Sequence, residues 1–181
     1  MRIYEKKLLK YKKITVGALI SFGLLAAPLT GYAQSSDAWT GAIAGTNIYI
    51  GNDDMLKNIK KYLNNNEIDR AVKSAQRYVA SFESDARSGK TSRYRYDAYN
   101  ALCISLAAQK KFDEALEACN TAVKDSPARW FAYNSRGSLN YRSGDFPAAI
   151  ADYQLALAKV SSRNNFSAII ENNIKLAESK N

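Results

Sequence analysis

The chain has 181 residues, 26 Lys and Arg against 17 Asp and Glu, 46% apolar residues, two cysteines and no histidine. This composition is typical of one folded globular domain. The lack of histidine excludes a Ser-His-Asp or Cys-His catalytic pair, a His-ligated metal and an imidazole pH switch.

The first residues are typical of a secretory signal peptide. Six basic residues precede an apolar run from Ile14 to Leu29, and its 16 residues fall short of the roughly 20 that cross a bilayer as a helix. Gly31 and Ala33 place small residues at the usual positions before a cleavage site, so we expect cleavage directly after Ala33. The mature protein is then periplasmic or secreted and is not stably inserted in a membrane. The alternative is an uncleaved signal anchor.

The leader also carries much of the positive charge. The formal net charge of +9 falls to +4 when residues 1–33 are removed, because six basic residues and one acidic residue leave with them. A basic surface that binds nucleic acid is therefore not predicted.

Residues 34–52 are predicted to be extended rather than helical. Glycines separate their short apolar stretches, among them Ile48-Tyr49-Ile50. Two interpretations stay open, a linker or an extended segment that packs along the helices. The apolar character of Ile48-Tyr49-Ile50 favours packing.

Residues 53–181 are predicted to be all-α, and a repeat organises them. Ala98-Tyr99-Asn100 recurs as Ala132-Tyr133-Asn134, 34 residues later. Three further pairs of residues share this spacing: Phe112 and Phe146, Ala115 and Ala149, and Ala122 and Ala156. This period, with small and aromatic residues at fixed positions, resembles the tetratricopeptide repeat, whose unit is a pair of antiparallel helices.

The resemblance implies a short α-solenoid of about three helix pairs with a C-terminal capping helix. The predicted ranges are 53–86 for a divergent first repeat, 95–128 and 129–163 for the next two repeats, and 165–180 for the capping helix. The first repeat stands 44 residues before its equivalent position in the second, ten more than one period. A loop or a longer second helix is expected to take up this excess, with the loop at Ser84–Ser92.

Turns between the paired helices are predicted at two places. At Ser143–Pro147, glycine can take the left-handed conformation, aspartate can cap the next helix and proline suits its first turn. The equivalent turn at Lys110 and Lys111 lacks a glycine, so a strained or differently shaped turn is expected there. Arg136 stands where the family usually has leucine, and the packing should differ at that position.

The two cysteines invite a disulfide in an exported chain. In the repeat, Cys103 and Cys119 are each about two turns from the bend at Lys110, and so lie at similar heights on facing helices. A bridge and a pair of free, small core residues are both compatible with this placement.

The resemblance also implies a function, namely that the first helices of the pairs form a concave surface that binds a protein or peptide segment. The family positions that line this surface predict seven peptide-binding residues: Asn100, Ile104, Phe131, Asn134, Ser138, Tyr141 and Arg142. Among the lining positions only Arg142 is basic, so an acidic C-terminal tail is not the expected ligand. The sequence thus predicts a non-catalytic exported adaptor in the bacterial cell envelope, with no cofactor, catalytic residue or metal.

Two alternatives belong to other classes of protein. One is a periplasmic thiol/disulfide enzyme, or another enzyme-associated protein, that uses Cys103 and Cys119. The other is a structural subunit whose concave face is filled by its own residues 34–52.

Overall fold

The elements of the fold begin and end where the sequence supplies caps and breaks. The computed structural model describes residues 39–43, 46–51, 53–87, 94–161 and 166–181, all within one compact unit, Gln34–Asn181. Two strands come first, β1 (Trp39–Ile43) and β2 (Thr46–Ile50). The helices that follow in these ranges are α1 (Asp54–Asn64), α2 (Ile68–Arg87), α3 (Arg95–Ala108), α4 (Phe112–Asp125), α5 (Trp130–Ser143), α6 (Phe146–Leu157) and α7 (Phe166–Glu178).

Consecutive helices pack as pairs. Helix α1 packs on α2, α3 on α4, and α5 on α6, while α7 packs on α6 at the end of the stack. The prediction of an all-α repeat solenoid is confirmed. The structure also contains the hairpin of β1 and β2, which precedes the helices in the chain.

Two aspartates cap helices, and one of them is the predicted cap at Asp145. The Oδ1 atom of Asp53 accepts a hydrogen bond from the backbone N–H of Leu56 at 2.9 Å. The Oδ1 atom of Asp145 accepts from the N–H of Ala148 at 3.0 Å. Gly144, just before Asp145, has a φ of 91°, the left-handed conformation that glycine adopts without a steric cost. The predicted turn between α5 and α6 is confirmed.

The turn between α3 and α4 has the same left-handed bend without the glycine. Lys110 has a φ of 65° there, and a residue with a Cβ atom loses roughly 1–2 kcal/mol in that conformation. Of the two alternatives predicted for this turn, a strained or a differently shaped one, the strained turn is observed. Asn66, between α1 and α2, has a φ of 58°, which asparagine tolerates better than most residues.

Helix α2 is the longer second helix that is one of the two predicted explanations for the ten extra residues. It extends for 20 residues, as far as Arg87, so Ser84–Arg87 are helical and not part of a loop. A longer second helix thus takes up part of the ten extra residues, because the chain continues its helical hydrogen bonding past the end of the repeat. Residues 88–93 lie outside the described ranges.

Small residues let α5 and α6 approach each other closely. A Cβ atom added to Gly137 would lie 2.7 Å from the ring of Tyr153 and 3.2 Å from the backbone oxygen of Ala149. Ala149 and Tyr153 are completely buried. The ring of Tyr153 therefore fills the space that the missing side chain of Gly137 leaves.

Arg136, which replaces the usual leucine, forms hydrogen bonds with polar side chains of two other helices. Its Nη2 and Nε atoms donate to the two carboxylate oxygens of Asp152 on α6 at 2.7 and 2.9 Å. Its Nη1 atom donates to Oδ1 of Asn120 on α4 at 2.8 Å. A bidentate ion pair thus joins α5 to α6, and a hydrogen bond joins α5 to α4, where most repeats have an apolar contact.

The predicted signal peptide, residues 1–33, lies outside the described residues. Its cleavage after Ala33 and the alternative of an uncleaved anchor stay predictions. In the described ranges, no helix has both the length and the apolar character that a membrane crossing requires.

Candidate functional site

The candidate site is the groove lined by α3, α5 and α7, and strand β2 lies in it. Strands β1 and β2 form an antiparallel hairpin in which Trp39 faces Ile50 and Ile43 faces Thr46. Strand β2 contacts α3, α5 and α7. These are alternate helices along the chain, and in a solenoid of helix pairs they line the same face.

One face of β2 is buried in the groove. Thr46, Ile48 and Ile50 are 0%, 1% and 0% exposed. These are alternate residues of a strand, so their side chains point to the same side. Ile48 and Ile50 belong to one buried cluster with Ile104 and with small residues of α3. The strand is therefore part of the hydrophobic core.

Hydroxyl groups hold the first end of β2. Thr46 is hydrogen-bonded to the hydroxyl of Tyr153 on α6. The same hydroxyl donates to Oγ of Ser138 on α5 at 3.1 Å. Burial raises the pKa of Tyr153, which stays a neutral phenol at physiological pH. This end of the groove thus provides a hydrogen-bond partner for the buried hydroxyl of Thr46.

The other end of β2 lies against a carboxylate. A Cβ atom on Gly51 would be 3.1 Å from Cδ1 of Leu56 and 3.4 Å from Oδ1 of Asp97. Burial raises the pKa of Asp97 to about 6; the hydrogen bond of Tyr96 opposes this rise and the Asp53 carboxylate adds to it. This end of the groove therefore disfavours a further negative charge.

Five of the seven residues predicted to bind a peptide are buried in the groove: Asn100, Ile104, Phe131, Asn134 and Ser138. Oδ1 of Asn134 accepts a hydrogen bond from Nδ2 of Asn173 on α7 at 2.9 Å. Of these residues, Ile104 packs in one cluster with Ile48 and Ile50 of β2, and Ser138 shares the hydroxyl of Tyr153 with Thr46. Their binding of a partner stays a prediction.

Tyr141 and Arg142 are the half-buried members of the predicted set. The ring of Tyr141 packs edge-on against Phe146, with 5.5 Å between the centroids. Nη2 of Arg142 donates to the backbone oxygen of Ala108 at 3.4 Å, while its buried Nε atom has no hydrogen-bond partner among the described residues. These two side chains are the accessible part of the predicted site.

The two cysteines face each other across α3 and α4. The Cα atoms of Cys103 and Cys119 are 5.0 Å apart and the sulfur atoms are at disulfide distance. The similar heights predicted from the repeat are therefore confirmed. Both residues are at most 1% exposed, so the pair is part of the core and not of an accessible site.

Sequence reasoning missed Asn173 on α7, which lies outside the repeat motif and pairs with Asn134. Asp97, at a family position that lines the concave surface, borders the end of β2. The sequence signal for β2 is the alternation of Thr46, Ile48 and Ile50, which favours a half-buried strand. That signal does not specify which surface buries the strand.

Comparison with known families identifies the class of protein. The profile of the tetratricopeptide repeat matches residues 56–129 and 100–164, more than half of the chain. The chain belongs to the tetratricopeptide repeat family.

Solved structures with similar folds include three tetratricopeptide repeat domains. The TPR2B domain of yeast Sti1, in complex with pHsp70, has a TM-score of 0.57 and 19% identity, covering 71% of this chain and 96% of that one. The first such domain of human RPAP3 has a TM-score of 0.55 and 21% identity, with 70% and 88% covered. The first such domain of Spaghetti (RPAP3), bound to the HSP90 peptide SRMEEVD, has a TM-score of 0.53 and 21% identity, with 69% and 88% covered. No curated protein matches the chain at a significant level.

Proposed function

We propose that the protein is a non-catalytic interaction module of the bacterial cell envelope, whose groove holds an extended segment of a partner protein. The observation that carries this proposal is strand β2 itself. It lies extended across α3 and α5 with Thr46, Ile48 and Ile50 buried. The groove therefore has the width and the apolar lining that a strand-like peptide requires.

The similar solved structures support a peptide as the kind of ligand. The Spaghetti domain is bound to the peptide SRMEEVD, and the yeast Sti1 domain is in a complex with pHsp70. In this chain, Asp97 borders the groove and only Arg142 is basic among the predicted lining residues. The partner segment proposed here is therefore apolar and not acidic.

The proposed export rests on the leader and on the cysteines. A basic start, a short apolar run and small residues before Ala33 are typical of a signal peptide. Cys103 and Cys119 at disulfide distance fit an oxidising compartment, where bridges form and persist. The complete burial of both cysteines argues against a thiol/disulfide enzyme, which needs an accessible thiol.

Site-specific photo-crosslinking in producing cells tests the binding face. The photoreactive amino acid is placed at Tyr141, at the accessible end of the predicted site, and in a control chain at Leu116, which is 39% exposed on α4. We expect one discrete crosslinked partner from Tyr141 and none from Leu116. Equal crosslinking at both positions, or none at Tyr141, would show that partners bind elsewhere or not at all.

Export is tested separately by fractionation and N-terminal sequencing. We expect the mature chain to begin at Gln34 and to appear in the soluble envelope fraction. A chain that keeps Met1 and stays in the membrane fraction contradicts cleavage.

A further inference from the structure

The groove that the proposed function assigns to a partner is filled by a segment of the chain itself. Strand β2 places Thr46, Ile48 and Ile50, one residue in two, against the helices. Strand β2 is thus an example of a segment that fits the groove. Each buried residue of β2 indicates which side chain a ligand needs at that position.

These requirements differ along the strand. At the Thr46 end, the hydroxyl of Tyr153 provides a hydrogen bond for a side-chain hydroxyl. In the middle, two β-branched aliphatic side chains enter the cluster that contains Ile104. At the Gly51 end, the space beside Leu56 is narrow and the Asp97 carboxylate is close.

The charge at the Gly51 end comes from several elements. Asp53 caps α1, and its carboxylate accepts a hydrogen bond from the hydroxyl of Tyr78 on α2. Asp97 on α3 interacts electrostatically with this carboxylate and with the guanidinium of Arg129, which precedes α5. Two carboxylates with one nearby cation favour an uncharged or basic residue over an acidic one at this end of a ligand.

The hairpin is held in the groove through β2. Among the described elements, β1 packs chiefly on β2, and β2 packs on α3, α5 and α7. A two-stranded hairpin has little stability of its own in water, so the hold on the groove comes from the buried face of β2. A partner segment that displaces β2 must therefore replace the contacts of Thr46, Ile48 and Ile50.

We infer that β2 is an internal ligand of the groove, and that the partner replacing it presents an extended segment with a hydroxyl residue, then β-branched aliphatic residues two and four positions later, and no carboxylate at the end beside Asp97. This inference rests on the proposed function and specifies its ligand. The same rules make β2 a competitor that keeps weaker or acidic segments out of the groove.

Peptide binding to a full chain with an expelled strand tests the inference. In the variant I48D/I50D, two buried carboxylates disfavour the docking of β2. The matched control L116D/L155D makes the same chemical changes at side chains that are 39% and 45% exposed on α4 and α6. The probe is a fluorescent peptide with the sequence of residues 46–51, TNIYIG, and fluorescence anisotropy measures its dissociation constant.

We expect the probe to bind I48D/I50D at least tenfold more tightly than it binds the wild-type chain or the control. A probe with both isoleucines changed to aspartate, and the acidic peptide SRMEEVD, should bind at least tenfold more weakly than TNIYIG. A variant with full helical circular dichroism that binds TNIYIG no better than wild type overturns the inference. Equal binding of SRMEEVD and TNIYIG overturns its charge rule.

Hydrogen exchange in the wild-type chain keeps the inference testable if I48D/I50D does not fold. We expect the amides of β2 to exchange at least tenfold faster than those in the middle of α3 and α5. Exchange of β2 only with the whole domain would show a permanent core strand and overturn the inference. If Tyr141 crosslinks a partner but TNIYIG does not bind I48D/I50D, the inference that β2 is an internal ligand is wrong and the proposed function stands. If TNIYIG binds but Tyr141 crosslinks no partner, the proposed function is wrong and the inference stands.

Discussion

At the residue scale, the departures from the repeat pattern are compensated by specific neighbours or cost stability. Arg136 in place of leucine is paired with Asp152, whose side chain is 7% exposed. The repeat pattern shows that Arg136 is unusual at its position. It does not identify Asp152 as the partner, because Asp152 is 16 positions away in the chain. At Lys110, which stands in place of glycine, no neighbouring side chain can relieve the strain, because the strain is in the backbone of Lys110 itself.

Replacing Lys110 by glycine should therefore stabilise the protein. The φ of 65° is unfavourable for a residue with a Cβ atom and is free of steric cost for glycine. We expect Lys110→Gly to raise the free energy of unfolding by about 0.5–1 kcal/mol, since the greater entropy of unfolded glycine cancels part of the gain. Urea unfolding measures this change. Lys110→Ala is the control, which removes the same charge, keeps the Cβ atom and should bring no gain; an equal rise in both variants would locate the effect in the charge.

At the element scale, the sequence predicts the helix pairs because their packing repeats. Small residues recur at 34-residue spacing, and Ala115, Ala149 and Ala156 are all completely buried. The position of β2 was not predictable in the same way. Its alternation describes a strand, but the surface that covers the strand depends on helices more than 40 residues away along the chain.

Enlarging one of these small residues tests the register of the helix pairs. Ala149 is completely buried, and its backbone lies close to Gly137 of α5, so Ala149→Leu adds three carbon atoms to a closely packed region. We expect it to lower the free energy of unfolding by roughly 1–3 kcal/mol. Ala151→Leu is the matched control on the exposed side of α6 and should change stability by less than about 0.5 kcal/mol. Similar melting temperatures for both variants would mean that the register is wrong.

At the scale of the whole molecule, the hairpin shares one of the three hydrophobic clusters with the first helices of the solenoid. Ile48 and Ile50 of β2 belong to the cluster that also contains Leu56 of α1 and Ile104 of α3. The family positions predict binding residues on α3 and α5, and five of the seven are buried. Their burial was not predictable, because it requires the strand to be placed first. The candidate site is thus half predictable from sequence, in its lining but not in its contents.

The junction of hairpin, α1 and α3 should make stability depend on pH through Asp97. Burial raises the pKa of Asp97 from 3.8 to about 6 in the folded protein, so the folded state binds this proton more tightly than the unfolded state does. The free energy of unfolding should then fall as pH rises from about 4 to about 6, and stay lower above that range. Asp97→Asn resembles the protonated side chain.

We therefore expect Asp97→Asn to be more stable than wild type at pH 7.5 by about 1–3 kcal/mol, a range that allows for partial solvation of the carboxylate, and to have nearly the same stability at pH 4. Urea unfolding at the two pH values measures this difference. Asp113→Asn, at an exposed position in the first turn of α4, is the control for the loss of one charge. If Asp97→Asn instead loses stability equally at both pH values, the carboxylate contributes a specific contact at the end of β2, and the electrostatic explanation of this junction is wrong.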